Sequence, residues 1–280
     1  MHTVTTIDGL RTARAGLAEP VGLVPTMGYL HEGHLALVRA AQERCESVVV
    51  SIFVNPAQFG PNEDLAKYPR DIPRDLALLE EAGVDLVWLP TSEVMYPEGF
   101  QTWVDVSEVS QPLEGGMRPG HFRGVATVVA KLFNATEAHF AFFGQKDAQQ
   151  VAVIKRMARD LNFPLGVVVV PTQREADGLA RSSRNVFLSA EERGQAPALY
   201  RALIAAKDAY EAGERNAEKI RRVMLGTLAG ASLAQVQYVS CAHPETLAEL
   251  DTVSADGALL SMAVYFGKTR LIDNLVLEGQ

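Results

Sequence analysis

Cysteine is scarce, with two in the whole chain, Cys45 and Cys241. Two thiols cannot build a disulfide framework, and these lack the paired spacing of a zinc site. They fall where the pattern reads as a helix end and a strand, which fits a reducing compartment. Long apolar runs are also missing. None approaches the ~20 residues needed to span a bilayer. The opening MHTVTTIDGL has neither the basic start nor the apolar stretch of a signal peptide. A cytoplasmic chain with no membrane partner is therefore expected. An excess of positive charge is absent as well: 26 Lys and Arg stand against 34 Asp and Glu, a net charge of −8. Such a surface repels the phosphates of nucleic acid, so nucleic acid is not an expected partner and any anion must be held by a local site.

What is present is enough apolar material for sizeable cores. The 280 residues are 48 % hydrophobic and 21 % charged, which suits one large and one smaller domain. Strand and helix patterns alternate over the first two thirds. Val21–Val24 reads as a strand and a helix follows from about His34. Val48–Val54 is an apolar strand of the kind buried on both faces of a parallel sheet. A helix through Leu76, Leu79 and Ala82 stops at Gly83, and Val84–Leu89 is a strand. Then come a helix over Val125–Phe133, a strand over His139–Phe143, a helix over Ala148–Leu161 and a strand over Leu165–Val170. This alternation predicts an α/β, Rossmann-like domain over 1–171, a parallel sheet with helices on both faces.

After Pro171 the character changes. Ser189 and Glu192 form a capping box opening a helix predicted to run to about Ala212. A second helix covers Ala217–Leu228, and three strands follow at Gln235–Cys241, Ala258–Phe266 and Arg270–Leu277. Residues 172–280 are thus expected to form a smaller C-terminal α+β lid domain.

Ligands of open α/β sheets bind beyond the carboxyl ends of the strands, and unusual polar residues gather at four such places. Pro25-Thr-Met-Gly-Tyr-Leu-His-Glu-Gly-His34 follows the first strand. Gly28 and Gly33 permit close backbone approach, and His31 and His34 sit at a helix N-terminus, where the N–H groups and dipole already favour an anion. The histidines are three apart, not four as in a zincin helix, so a metal reading is weak. At the second place, Asn55 and Gln58 are uncharged groups that both donate and accept, suiting a substrate with hydroxyls and a carboxylate; an ordinary Asn-Pro turn would also explain them. The third run, Phe142-Phe-Gly-Gln-Lys-Asp-Ala-Gln-Gln150, offers Gly144, Lys146 for phosphate, Asp147 for ribose hydroxyls and Gln150 toward the same crevice. Alone, such a Lys-Asp turn is more often solvated surface. The fourth, Arg174 to Asn185, places two serines beside Arg184 as a phosphate clamp or as a turn cluster. A basic segment, Met117 to Gly124, supports phosphates or is a surface loop; Arg123 reads as surface.

Together, VPTMGYLHEGH, VVVSIFVNPAQFGPNEDLAKYPRD, RPGHFRGVATVV, FFGQKDAQQ, DGLARSSRN and GKTRLIDN closely resemble the pantoate–β-alanine ligase family, of the nucleotidyltransferases with a His-x-Gly-His signature. The resembling runs stretch from 24 to 274. The resemblance implies ATP as co-substrate, Mg²⁺ held mainly by phosphate oxygens with any protein ligands unknown, pantoate and β-alanine as small-molecule partners, a pantoyl-adenylate intermediate and a homodimer. It implies that Met27, Gly28, Tyr29, Leu30, His31, Glu32, Gly33 and His34 embrace ATP, with His34 as proton donor and His31 along the phosphates. Gly144, Gln145, Lys146 and Asp147 would hold ribose and phosphate, with Lys146 neutralising the transition state. Arg181, Ser182, Ser183 and Arg184 would clamp the β- and γ-phosphates, and the backbone at Gln173 would meet adenine. Gln58, Gln150 and Asn55 would bind pantoate, Gln58 also lying near β-alanine. Two positions depart from the pattern: Arg181 stands where an apolar residue is usual, and Ala57 where methionine is common.

Three rivals carry other requirements. An adenylyltransferase acting on another small, phosphorylated acceptor needs a cationic pocket where this chain has amides. A tRNA-charging synthetase needs a nucleic-acid-binding region. A non-catalytic nucleotide sensor gains nothing from two histidines, a lysine and an arginine around one α-phosphate.

Overall fold

The computed structural model describes residues 1–60 and 65–279. Residues 61–64, inside the second resembling run, and residue 280 lie outside them. The chain divides into two compact units, Met1–Gly144 with Val153–Pro171, and Gln145–Ala152 with the chain from Thr172 onward.

The first unit is built on six parallel strands. In chain order they and their helices are β1 (His2–Val4), α1 (Ile7–Arg14), β2 (Val21–Thr26), α2 (Glu32–Gln42), β3 (Ser47–Ile52), α3 (Ile72–Glu81) and β4 (Leu86–Trp88). They continue with α4 (Ser92–Met95), α5 (Glu114–Met117), α6 (His121–Thr136), β5 (Phe140–Gly144), α7 (Ala148–Asp160) and β6 (Gly166–Val170). The first turns of α7 group with the second unit. Sheet order is β1-β4-β3-β2-β5-β6, every neighbouring pair parallel. From β2 the chain winds outward one way through β3 and β4, and later the other way through β5 and β6. The strand order therefore reverses between β2 and β5, which is where such sheets bind ligands.

Burial follows the two-residue alternation of strands. Val24, Val48, Val50 and Val87 share a core with Leu37, Val38 and Ala41 of α2 and Leu79 of α3. Leu23 and Val49, also fully buried, alternate with them toward the other face, where α6 meets β2. Helix α6 is buried almost all round, as expected for a helix that is apolar on most sides.

The second unit comprises α8 (Ala190–Gln195), α9 (Ala198–Glu211), α10 (Ala217–Leu228) and the antiparallel strands β7 (Ala234–Ala242), β8 (Ala258–Phe266) and β9 (Thr269–Leu277). Leu199, Leu203, Ile220, Met224 and Val264 are among its buried core.

Three differences from the sequence expectation have physical causes. The helix predicted over 189–212 is two helices, because Pro197 lacks an N–H and its ring cannot follow a helical carbonyl four residues back; the chain turns there and α9 restarts. The Ser189–Glu192 box itself is formed, with Glu192 N–H donating to Ser189 Oγ at 3.3 Å and Ser189 N–H to the Glu192 carboxylate at 2.8 Å. Strand β1 and helix α1 lie outside the sequence expectation, since three partly polar residues on a sheet edge and a helix with one buried side chain, Leu10, leave almost no periodicity. Helix α6 begins at His121, a turn before its apolar run, because Gly120 at φ 81° supplies a left-handed entry. No helix among the described residues is long and apolar enough to cross a membrane.

Candidate functional site

At the end of β2 the chain makes a turn that only a particular backbone allows. Gly28 has φ 81° and Tyr29 φ 51°, and a Cβ on Gly28 would sit 3.0 Å from Ile52 and 3.1 Å from the Asp75 carboxylate. That carboxylate is completely buried. It accepts the N–H of Tyr29 at 2.6 Å and of Leu30 at 2.8 Å, so an anion on α3 organises the loop from below. The Arg74 guanidinium lies 3.7 Å away and over the Tyr29 ring.

Helix α2 then starts with His31 as its N-cap. His31 Nδ1 accepts the N–H of Gly33 at 3.1 Å, and His34 Nδ1 accepts the N–H of His31 at 3.2 Å. An imidazole whose Nδ1 accepts carries its proton on Nε2. Both rings, 4.1 Å apart centroid to centroid, are thus held as Nε2–H tautomers at the positive end of a helix dipole. Gly33 leaves the room that the His31 ring fills: a Cβ there would come within 2.9 Å of Nδ1. Glu32 pairs with Arg39.

The turn after β3 is anchored by Asn55, which is 1 % exposed. Its amide donates to Gln58 Oε1 at 3.0 Å and to the Gly124 carbonyl at 3.2 Å. Its oxygen accepts from Tyr96 Oη at 2.7 Å and from Ala57 N–H at 3.3 Å. Burial pushes the Tyr96 phenol up to about 12, so Tyr96 stays a neutral donor. Asn55 therefore aims Gln58, whose Nε2 lies 3.2 Å from Met27 Sδ. From α6, His121 Nδ1 lies 2.9 Å from the Gln58 carbonyl and its Nε2 lies 3.0 Å from Arg118. Gly124 is the close-approach residue, because a Cβ there would stand 2.2 Å from the Ala57 carbonyl oxygen. Of the basic segment, Arg123 stacks over Trp103 at 4.8 Å.

Gly144 ends β5, and a Cβ on it would meet nothing within 4 Å. Within the second unit, the turn Gln145–Asp147 carries Lys146, 17 % exposed and 3.6 Å from Asp147, and Gln150 is half-buried early in α7. The segment from Thr172 forms a small hairpin: Arg181 N–H donates to the Gln173 carbonyl at 2.9 Å, and Arg174 bridges Ala180. Arg181 pairs with Glu175 at 3.1 Å, which engages the side chain that departs from the family pattern. Ser182 caps the next turn by accepting the Arg184 N–H at 3.2 Å. Ser183 is half-buried and Arg184 exposed.

The structure thus gathers Met27–His34, Asn55 and Gln58 in the first unit, and Lys146, Gln150, Gln173 and 181–184 in the second. The roles of Asp75, His121 and Gly124 are not legible in the sequence. A lone Asp in a first helical turn reads as a cap. His121 opens a helix, and Gly124 lies inside one; only its place in an otherwise good helix-forming run signalled a close approach.

A doubly wound parallel sheet, entered by a histidine-capped helix at its switch strand and followed by an α+β unit, makes this a Rossmann-like α/β protein. The chain belongs to the pantoate-beta-alanine ligase family, whose model matches residues 2–276. It is 61 % identical over 280 residues to the pantothenate synthetase of Chloroflexus aurantiacus, covering 100 % of this chain and 99 % of that one. It is likewise 61 % identical over 277 residues to that of Herpetosiphon aurantiacus, covering 99 % and 100 %. Among solved structures, the pantothenate synthetase of Thermus thermophilus superposes with a TM-score of 0.94 at 51 % identity, covering 99 % of this chain and 100 % of that one. The pantoate-beta-alanine ligase of Francisella tularensis, complexed with beta-gamma ATP and beta-alanine, gives 0.81 at 34 % identity, covering 99 % and 97 %.

Proposed function

We propose that the chain is an ATP-dependent ligase that condenses pantoate with β-alanine to pantothenate. In the first step a pantoate carboxylate oxygen attacks the α-phosphorus of ATP and pyrophosphate leaves, giving pantoyl adenylate. In the second the neutral amine of β-alanine attacks the acyl carbon. The amide bond forms, the bond to the AMP oxygen breaks, and the amine proton passes to solvent. Neither step needs a covalent bond to the protein, so the side chains position reactants and neutralise charge.

The observation that carries this assignment is the pair His31 and His34, each with Nδ1 committed to a backbone N–H. Their Nε2–H groups serve as donors to phosphate oxygens at a helix N-terminus, His34 toward the α-phosphate and His31 along the chain. Lys146 adds a full positive charge, and Ser182, Ser183 and Arg184 take the β- and γ-phosphates, with Arg181 beside them. Gly144, Gln145 and Asp147 suit the ribose, the open space at Gly144 leaving room for it, and the backbone at Gln173 suits adenine. Gln58 and Gln150 bind pantoate, Gln58 also facing β-alanine. Asn55 acts by holding Gln58. Mg²⁺ would enter with the nucleotide, held mainly by its phosphate oxygens. When bound, the ion would supply charge neutralisation on the triphosphate that the pantoate carboxylate approaches. A cytoplasmic homodimer is the proposed state, and the two buried thiols suit a reducing compartment.

The test is pyrophosphate release from ATP with pantoate, with and without β-alanine. One equivalent per active site without β-alanine and continuous turnover with it is the expected result. Release of ADP and phosphate, or no dependence on pantoate, would overturn the assignment.

A further inference from the structure

Strand β9 carries two adjacent polar residues, Asp273 and Asn274, amid apolar neighbours, and both are buried, 1 % and 4 % exposed. All three side-chain hydrogen bonds of Asn274 end on one turn. Its Nδ2 donates to the carbonyls of Gln145 at 2.9 Å and Lys146 at 2.8 Å, and its Oδ1 accepts from Gln145 Nε2 at 3.0 Å. Both amide protons are used on consecutive carbonyls, which fixes the orientation of that peptide unit and not merely its proximity. Asn274 is itself fixed: β9 pairs with β8 in register, Ser261 opposite Asn274, and its N–H donates to Asp273 Oδ1 at 2.8 Å. Asp273 takes a bidentate bond from Arg174, at 2.6 and 2.9 Å. Arg174 lies in the hairpin that leads to Ser182–Arg184 and stacks on Tyr200 at 4.1 Å. Every contact in this chain of bonds lies within the second unit.

We infer that Asn274 is a positioning residue for Lys146: by gripping the carbonyls of residues 145 and 146 it directs the Lys146 ammonium toward the reacting phosphate. The inference rests on the charge-neutralising role given to Lys146 above. Asn274 is buried and its side-chain bonds go to Gln145 and Lys146, so its effect passes through the turn. A lysine has four rotatable side-chain bonds, so a loosely held backbone would spread its charge over several ångströms. Stabilisation of a developing charge needs that placement in advance. A side chain that only tied the turn to the sheet would need one bond; here three bonds meet on two residues, and the same network sets the base of the Arg174–Arg184 segment.

The experiment is a double-mutant cycle with Asn274→Ala, Lys146→Ala and the pair, following steady-state pyrophosphate release from ATP and pantoate with β-alanine held at saturation so that turnover continues. Asn274→Ala is expected to lower kcat by roughly 10- to 100-fold, the range spanned when a group acting through a positioned charge is disturbed. Its KM for pantoate should stay within about threefold of wild type. In the Lys146→Ala background the same substitution should change kcat by less than about twofold, since there is no ammonium left to direct. An equal loss in both backgrounds, or a loss that simply tracks the folded fraction in thermal unfolding, overturns the inference. Lys146→Ala at the wild-type rate overturns it as well, and identifies the role given to Lys146 as the failing premise. Asn274→Ser, neutral and retaining one hydroxyl donor, goes through the same cycle if the alanine variant does not fold, and an intermediate loss confined to the Lys146 background is then the supporting result.

Discussion

Asp75 and Tyr29, 46 residues apart in the chain, are joined by a 2.6 Å hydrogen bond from the Tyr29 N–H to a fully buried carboxylate. Tyr29 is held at φ 51°, a conformation that costs a non-glycine residue about 1–2 kcal/mol unless its surroundings impose it. The second carboxylate oxygen fixes Leu30, so one anion on α3 sets the whole entry to the histidine-capped helix. Asp75→Asn keeps the volume but turns an NH₂ toward one of the two N–H groups. Loss of one charged hydrogen bond should cost about 1.5–3 kcal/mol of stability. Urea unfolding measures that, and the KM for ATP should rise while the KM for pantoate stays near wild type. An unchanged KM for ATP would show that the loop does not meet the nucleotide.

Gln58 and Gly124 form a second separable prediction. Gln58→Leu removes an amide matched to hydroxyl and carboxylate groups, and Gly124→Ala drives a methyl against the Ala57 carbonyl and must shift the turn that carries Gln58. Both should raise the KM for pantoate, by about tenfold or more, as expected when a substrate hydrogen bond worth about 1.5 kcal/mol is lost. ATP affinity should hold in both. Equal losses for the two substrates would disprove the division of the site.

Arg174 and Asp273 predict a pH signature. Burial holds the Asp273 carboxyl above its ordinary range, and Arg174 offsets part of that rise. In Arg174→Met the offset disappears and the folded-state value climbs further. An acid whose folded value exceeds its unfolded value gives a stability that is full below the unfolded value and is lost as pH rises through the folded one. The deficit relative to wild type should therefore be smallest at acid pH and grow as pH rises, reaching about 3–5 kcal/mol, the usual cost of stranding one member of a buried pair. Chemical denaturation across a pH series checks this, and a deficit independent of pH would contradict it.

How much of this was readable beforehand differs by element. The parallel strands and the histidine helix were legible because apolar runs and helical periodicity report burial directly, as Val48–Val50 and Leu37–Ala41 do. Gln58 and Lys146 were legible as polar residues where a buried strand ends. Pro197 is the local signal for the broken helix, masked by the alanine-rich run around it. Asp75, His121 and Asn274 act on backbone groups of distant segments, and no local pattern encodes a partner 46, 63 or 129 residues away. The adjacent Asp273 and Asn274 did break the apolar alternation of β9, the one visible trace of the network behind Lys146.

His34→Ala should keep the fold yet lose adenylate formation. The cap bond from His31 N–H is worth about 1 kcal/mol, whereas removal of a donor to developing phosphate charge costs about 2.7–4 kcal/mol of barrier, or some 10²–10³ in rate. Single-turnover pyrophosphate release beside a melting curve separates the two effects. A rate within threefold of wild type would remove His34 from the chemistry.

The central claim is that the carboxylate of pantoate bonds to the α-phosphorus, and oxygen transfer reports that bond. Pantoate labelled with ¹⁸O in its carboxyl group is turned over with ATP and β-alanine, and the phosphate products are read by mass spectrometry. The attacking oxygen becomes the bridge of the mixed anhydride and departs with the phosphoryl group when the amine displaces it, so one labelled oxygen should appear in AMP and none in pyrophosphate. Label in inorganic phosphate, or unlabelled AMP, would contradict an acyl adenylate and with it the account of the site.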